Sequence, residues 1–222
     1  MKKIVTILFF TLFMGASHAE MSFGVSGALT EIKASGTETE GGEKNSRDIS
    51  RAALIPSVFA EYAITDRITL GVDYIPFSAD VSNKTYTRND VETSVTGTKT
   101  TTATSRAQQV SAELSDHISV YADVMVNDNL FVKLGAVEVD LTTDDNLATG
   151  SKYGDATLNG YMLGIGIKRE TGTLGKFMKI EFVHTDYDDV SLTSSVARTG
   201  VTGNNKIEAD LDTMAFKVSY AF

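Results

Sequence analysis

The chain has 222 residues, with 29 acidic against 20 basic side chains, a formal net charge of −9 and no cysteine. The lack of cysteine excludes disulfides and any cysteine nucleophile or metal ligand. The acidic balance argues against nucleic-acid binding, which needs a basic patch. Beyond residue 14, no stretch approaches the ~18 consecutive apolar residues of a transmembrane helix.

The first 19 residues have the pattern of a cleaved signal peptide. Lys2 and Lys3 give a basic start, and residues 4–14 are almost wholly apolar. Ser17 and Ala19 then form a small-x-small cleavage site. The apolar run is too short to span a bilayer, which needs ~20 residues. We therefore predict a signal peptide over 1–19 and one exported domain over 20–222.

After the signal peptide, apolar and polar residues alternate, which is the period of a β-strand whose two faces meet different surroundings. Eight segments show this alternation: 21–32, 52–64, 68–77, 107–126, 130–141, 158–169, 177–190 and 206–222. Segments two and three are joined by Thr65-Asp66-Arg67, and two later connections are similarly short. Long polar connections occupy about 33–51, 78–106, 142–157 and 191–205.

Short turns that alternate with long loops are typical of outer-membrane barrels. We predict an all-β fold, namely an eight-stranded antiparallel up-and-down transmembrane β-barrel with short periplasmic turns and long extracellular loops. A turn centred on Asp66 would pair Tyr62 with Leu70. The same register sets Pro56 opposite Pro76, near the loop side, where a residue without an N–H belongs.

The last segment places apolar side chains at every second position. These residues are Met214, Phe216, Val218, Tyr220 and Phe222. The ending resembles the C-terminal assembly signal of outer-membrane proteins. With eight strands, the chain resembles the OmpA/OmpX-type small barrels, and OmpW-like barrels are the near alternative. This resemblance implies the cell outer membrane, contact with its lipid and lipopolysaccharide, and the barrel-assembly machinery and periplasmic chaperones as partners during biogenesis.

An eight-stranded barrel has an interior that side chains fill. A turn centred on Asp128 sets Asp123 opposite Lys133, and opposite charges across an antiparallel pair attract. Because unpaired buried charges cost several kcal/mol each, we predict a charge network in the lumen. Its members are Glu61, Asp73, Glu113, Asp123, Lys133, Lys168, Lys179, Glu181 and Lys217. A gated narrow pore is the alternative.

The sequence offers little for catalysis. Only His117 and His184 remain after the signal peptide, and no G-x-S-x-G or H-E-x-x-H motif occurs. The acidic pairs Asp144-Asp145 and Asp188-Asp189 match no calcium-binding loop, so we predict neither a metal nor a cofactor. The expected protein is non-enzymatic, with a structural or surface-interaction role through loops that an extracellular ligand or phage could contact. The alternatives are a narrow channel for ions or small hydrophobic solutes and, less favoured, a lipid-modifying enzyme.

Overall fold

The computed structural model describes residues 20–40, 43–92, 102–146, 152–172, 175–195 and 204–222. The signal peptide predicted over 1–19 lies outside these residues. The strands, in chain order, are β1 (Glu20–Glu40), β2 (Glu43–Ala63), β3 (Ile68–Ile75), β4 (Ala79–Glu92), β5 (Thr102–Met125), β6 (Leu130–Asn146), β7 (Ala156–Glu170), β8 (Phe177–Tyr187), β9 (Val190–Thr193) and β10 (Lys206–Ala221). Within the described ranges, no helix has the length and apolarity to cross a membrane.

The strands close into a ring. Hydrogen-bonded neighbours follow the order β1-β2-β3-β5-β6-β7-β8-β10, and β10 pairs back with β1. β4 continues β3 along β5, and β9 continues β8 along β10. The fold is therefore the predicted eight-stranded antiparallel barrel. Two of the eight strand positions are each occupied by two consecutive shorter strands, β3 with β4 and β8 with β9. The start of β1 and the end of β10 meet at the side of the short turns, where the Phe222 N–H donates to the Phe23 carbonyl at 3.0 Å. We call this side the turn end and the opposite side the loop end.

Large apolar side chains cover the outer face, as the period-two pattern predicts. On β7, outward and inward residues alternate one by one. The exposed set includes Phe23, Leu29, Leu54, Leu134, Tyr161, Leu163, Ile165, Phe182 and Phe216. Soluble monomers rarely expose contiguous apolar surface of this extent, whereas a transmembrane barrel needs an apolar outer band. The outer face thus matches a lipid surrounding.

The two predicted hairpin registers are confirmed along the ladders that form, but the β2–β3 ladder does not extend to the predicted pair Pro56 and Pro76. Tyr62 lies opposite Leu70 in the β2–β3 pair, and Asp123 lies opposite Lys133 in the β5–β6 pair. Each register keeps the polar set inside and the apolar set outside, which a one-residue slip would reverse.

Two of the predicted long loops are mostly strand. β1 and β2 remain paired up to Glu40 opposite Glu43, so the predicted loop at 33–51 is a hairpin extension. β4 and β5 pair up to Glu92 opposite Thr102, which extends the hairpin at 78–106 in the same way. Apart from the buried Val81 near the start of β4, these extensions consist mostly of polar residues, so they carry little alternation for the sequence pattern to detect. Backbone pairing does not depend on that alternation and continues beyond the apolar band.

Candidate functional site

The turn-end half of the interior holds a network of buried ions, which we call the charged plug. The Lys179 ammonium bonds the Glu61 carboxylate and lies 3.0 Å from Asp123 Oδ2. Lys133 Nζ lies 2.6 Å from Glu181 Oε2 and 3.7 Å from Asp123 Oδ1. These five side chains are each no more than about 5% exposed, so the pairing removes the large cost of isolated buried charges.

Asp73 and Lys217 complete the charged plug on the side facing the loop end. Lys217 Nζ donates to Asp73 Oδ2 at 2.5 Å, and the Ser57 hydroxyl donates to the same oxygen at 3.0 Å. Seven of the nine predicted lumen residues therefore come together: Glu61, Asp73, Asp123, Lys133, Lys179, Glu181 and Lys217. The plug holds four carboxylates and three ammonium groups, so its charges nearly cancel.

Aromatic rings frame the charged plug. Tyr121 donates its hydroxyl hydrogen to Glu61 Oε1 at 2.8 Å, and its ring centroid lies 3.9 Å from Lys133 Nζ. Gly71 lies beneath this ring, where a Cβ atom would collide with it. The eighth predicted lumen residue, Lys168, is partly exposed nearer the turn end, with Nζ 4.0 Å from the Phe177 ring centroid. The rings leave little room for water around the ions.

The ninth predicted lumen residue, Glu113, lies on the opposite face of its strand from the plug, in contrast to the prediction. A β-bulge interrupts the β5–β6 register between Ser115 and Ile118. An extra residue in one strand exchanges inward and outward positions beyond it. Leu114, predicted to face lipid, is consequently buried inside, and Glu113 turns away from the lumen.

The loop-end half of the interior is apolar, a feature that the sequence analysis missed. We call this region the apolar chamber. Its buried residues are Ile32, Val81, Leu114, Val137, Val139, Leu141, Leu158, Met162, Val183, Tyr187, Val190 and Leu211. The sequence of β6 indicates this apolar region. Its inward face, which carries Lys133, continues with Val137, Val139 and Leu141 at every second position. An apolar inner face is unusual for a barrel whose lumen is normally polar.

A cavity of about 100 Å³ lies between the apolar chamber and the charged plug. Its walls include Leu114, Met162 and Val183, and its polar lining includes His117 and Lys217. An engineered apolar cavity of ~150 Å³ binds benzene. The cavity is therefore of the size order of a small organic molecule rather than of a single water.

The barrel wall beside this cavity is interrupted. The β2–β3 ladder ends at Val58 opposite Tyr74, and two residues further along the same register Pro56 would lie opposite Pro76 on the outer face. Proline has no N–H to donate to a ladder. Beyond this point β4 pairs with β5, and no ladder joins β2 to β4 in the described part of the chain. We call this gap the side window.

The side window reaches the cavity. Ile55 on β2, Ile75 at the end of β3 and Phe77 in the break between β3 and β4 all line the cavity. Phe77 is also 59% exposed, so one side chain contacts both the cavity and the outer surface. Apolar side chains thus separate the cavity from the outer surface at the side window.

The loop end is partly covered by residues 152–155, which precede β7. The Tyr153 hydroxyl donates to Glu38 Oε1 on β1 at 2.8 Å, and the Tyr153 side chain is buried. The Ser195 N–H donates to the Lys152 carbonyl at 2.8 Å. Since β8 and β10 separate β7 from β1 in the ring, this segment crosses the barrel mouth. We call it the cap.

The remaining sequence-predicted groups lie away from the lumen. Four residues of the assembly-signal set, Met214, Phe216, Val218 and Phe222, are exposed on the outer face, and Tyr220 is partly exposed. His184 points outward, with Nδ1 3.2 Å from the Thr213 carbonyl oxygen. Over the described residues, no group of three or more His, Asp or Glu is placed to hold a metal ion. The side chains of Asp144 and Asp145 fall outside the described set.

Rim charges at the loop end interact in pairs. A hydrogen bond from Lys206 lowers the pKa of Glu208, and a hydrogen bond shared with Asp210 raises the pKa of Asp189. Both carboxyl groups are open to water, which screens such pairs. They therefore contribute little to holding the barrel together.

No known family profile and no curated protein matches the sequence. Among solved structures, the solid-state NMR structure of the outer membrane protein AlkL in lipid bilayers is similar, with a TM-score of 0.52 and 14% identity over 94% of this chain and 93% of that one. The outer membrane protein OprG from Pseudomonas aeruginosa gives a TM-score of 0.51 and 10% identity over 90% and 96%. The chain has the fold of a small outer-membrane β-barrel. At such low identity the likeness concerns the fold alone.

Proposed function

We propose that the protein is an integral, non-enzymatic outer-membrane barrel that binds small apolar molecules in the chamber and exchanges them with the membrane through the side window. The observation that carries this proposal is the cavity, which has apolar walls, a charged floor and a lining that includes Ile55 and Phe77 of the side window. An apolar solute gains free energy on leaving water for such a site.

The charged plug favours lateral exchange over passage along the barrel axis. A solute moving toward the turn end would have to displace Lys179, Glu61 and Asp123, whose ion pairs are almost fully buried. Breaking a buried pair costs about 3–5 kcal/mol. The side window is lined by apolar side chains at Ile55 and Phe77. The Arg51–Asp80 ion pair that joins β2 and β4 beside it is long, at 3.7 Å, and about half exposed, so it is weak compared with the buried pairs of the plug.

A reversible closure of the side window tests this proposal. The chain lacks cysteine, so the double variant Ile55→Cys/Phe77→Cys can be bridged by a short thiol reagent that reduction removes. We expect expression to raise the initial uptake of radiolabelled benzene by cells with an intact lipopolysaccharide layer. Bridging should return uptake to the level of cells without the protein, and reduction should restore it.

A bridge across the intact part of the wall serves as the matched control. Ala60 and Val72 lie opposite each other in the β2–β3 ladder, so bridging Ala60→Cys/Val72→Cys stabilises the same two strands without covering the side window. Uptake should stay at the unbridged level. Equal inhibition by both bridges, or uptake that does not respond to expression at all, would contradict the proposal.

A role in surface interaction is the second candidate, and the extended hairpins favour it. The β1–β2 and β4–β5 pairs both continue well past the apolar band. Such polar strands present a firm backbone for a ligand or phage. Shortening the β1–β2 hairpin by removing residues 36–47 should abolish such binding while leaving benzene uptake unchanged.

A further inference from the structure

A polar side chain next to the β-bulge of β5 lines the cavity. Asp116 has a φ of 52°, in the left-handed region that non-glycine residues seldom adopt. Its carboxylate accepts a hydrogen bond from the Tyr74 hydroxyl at 3.1 Å. His117, the next residue, keeps the inward alternation of Ser119 and Tyr121 and lines the cavity. Bulges are over-represented next to functional sites.

The His117 ring has one nitrogen engaged and one available. Nε2 lies 3.1 Å from the Tyr187 hydroxyl oxygen. Nδ1 is buried and has no hydrogen-bond partner outside its own residue among the described side chains. A buried polar atom in this position is unfavourable until something bonds it. Because His117 lines the cavity, a ligand bound there lies beside the ring that carries this atom.

The charge balance of the floor limits the ligand's head group. Lys217 is bonded to Asp73, and Lys133 to Glu181, so both cations that line the cavity already have carboxylate partners. An anionic head group would add a negative charge to a plug that already holds four carboxylates and three ammonium groups. A cationic head group would have to compete with these lysines for the same carboxylates. The floor therefore suits an uncharged head group.

We propose that the ligand of the apolar chamber is a small neutral amphiphile, with an apolar body and one hydroxyl group that bonds His117. This inference rests on the proposed function and names its ligand class. A hydroxyl can donate and accept, so it matches either tautomer of the His117–Tyr187 pair. The apolar body lies against Leu114, Met162 and Val183, which line the same cavity.

Methionine methyl groups report binding without interference from the surrounding lipid. Met162 lines the cavity, whereas Met178 and Met214 are 39% and 48% exposed on the outer face. In nanodiscs containing ¹³C-methyl-methionine protein, phenol and benzene can each be titrated. We expect saturable shifts at Met162 for both ligands, and at Met178 and Met214 only the unsaturated drift of partition into lipid.

The ratio of the affinity for phenol to the affinity for benzene tests the assignment of the head group. His117→Phe keeps an aromatic ring and removes the polar atoms, and it should reduce the preference for phenol over benzene at least tenfold. His117→Asn, which keeps a hydrogen-bonding group, should retain part of that preference. The outward-facing variant His184→Phe is the matched control and should leave the ratio unchanged. Benzoate, which is anionic, should not bind with an affinity near that of phenol.

The outcomes separate the two proposals. If phenol and benzene both saturate Met162 and His117→Phe leaves their ratio unchanged, the head-group inference is overturned while the apolar chamber stands. Benzoate affinity equal to that of phenol would overturn the neutral class. If neither ligand saturates Met162, the proposed function fails together with this inference.

Discussion

Lys179 offers the sharpest test of the charged plug. Its side chain is 1% exposed and contacts Glu61 and Asp123, which are 2% and 5% exposed. Lys179→Met preserves most of the volume and leaves the Tyr121 hydroxyl as the hydrogen-bond partner of Glu61 among the described residues. Removing one member of a buried pair costs about 3–5 kcal/mol, and we expect a loss of this size in the free energy of unfolding.

The measurement is urea unfolding in phospholipid vesicles, followed by far-UV circular dichroism and by the mobility of the folded band on gels, since the chain has no tryptophan. Lys206→Met is the matched control, because Lys206 pairs with Glu208 on the exposed rim, and it should leave the unfolding midpoint unchanged. Adding Glu61→Gln to Lys179→Met should recover part of the loss, because one uncompensated charge disappears. A loss below about 1 kcal/mol for Lys179→Met, the range of an exposed pair, would refute the reasoning.

Three further predictions concern the backbone and the chain end. Asp116→Val should destabilise the barrel by about 1–3 kcal/mol, because a β-branched residue is strained at positive φ, and Asp116→Gly should not; urea midpoints of the two variants decide this. Gly71→Val should cost about 1–3 kcal/mol through collision with Tyr121, and a wild-type urea midpoint would contradict the close packing. Deleting Phe222 should reduce the heat-modifiable band in outer-membrane fractions, and a normal amount of that band would count against the assembly signal.

The barrel was predictable because its two faces meet different surroundings. Residues such as Tyr62 and Leu70 must face outward together, and Asp123 and Lys133 inward together, so the alternation determines both strand and register. Seven of the nine lumen residues follow from that rule. The eighth, Lys168, points the same way but lies closer to the turn end.

The bulge and the apolar chamber were not predictable in the same way. The bulge depends on one residue, Asp116, adopting a positive φ. Nothing in the types of the neighbouring β5 residues marks that position in the sequence. Every position beyond it exchanges faces, so Leu114 and Glu113 were assigned to the wrong sides. The side window exists because β4 pairs with β5 and not with β2. The alignment of Pro56 with Pro76 identifies this position in the sequence, but it does not show that the ladder stops there.

The length of β1 has a consequence for what the protein presents to its surroundings. Its 21 residues extend for about 70 Å at ~3.4 Å per residue, or about 50 Å along the membrane normal at a tilt near 40°. An apolar band of ~25 Å accounts for half of this height. In an outer membrane, the β1–β2 hairpin would therefore rise about 25 Å beyond the lipid. Any molecule that approaches from that side would meet a two-stranded ribbon whose height is determined by the length of the paired strands.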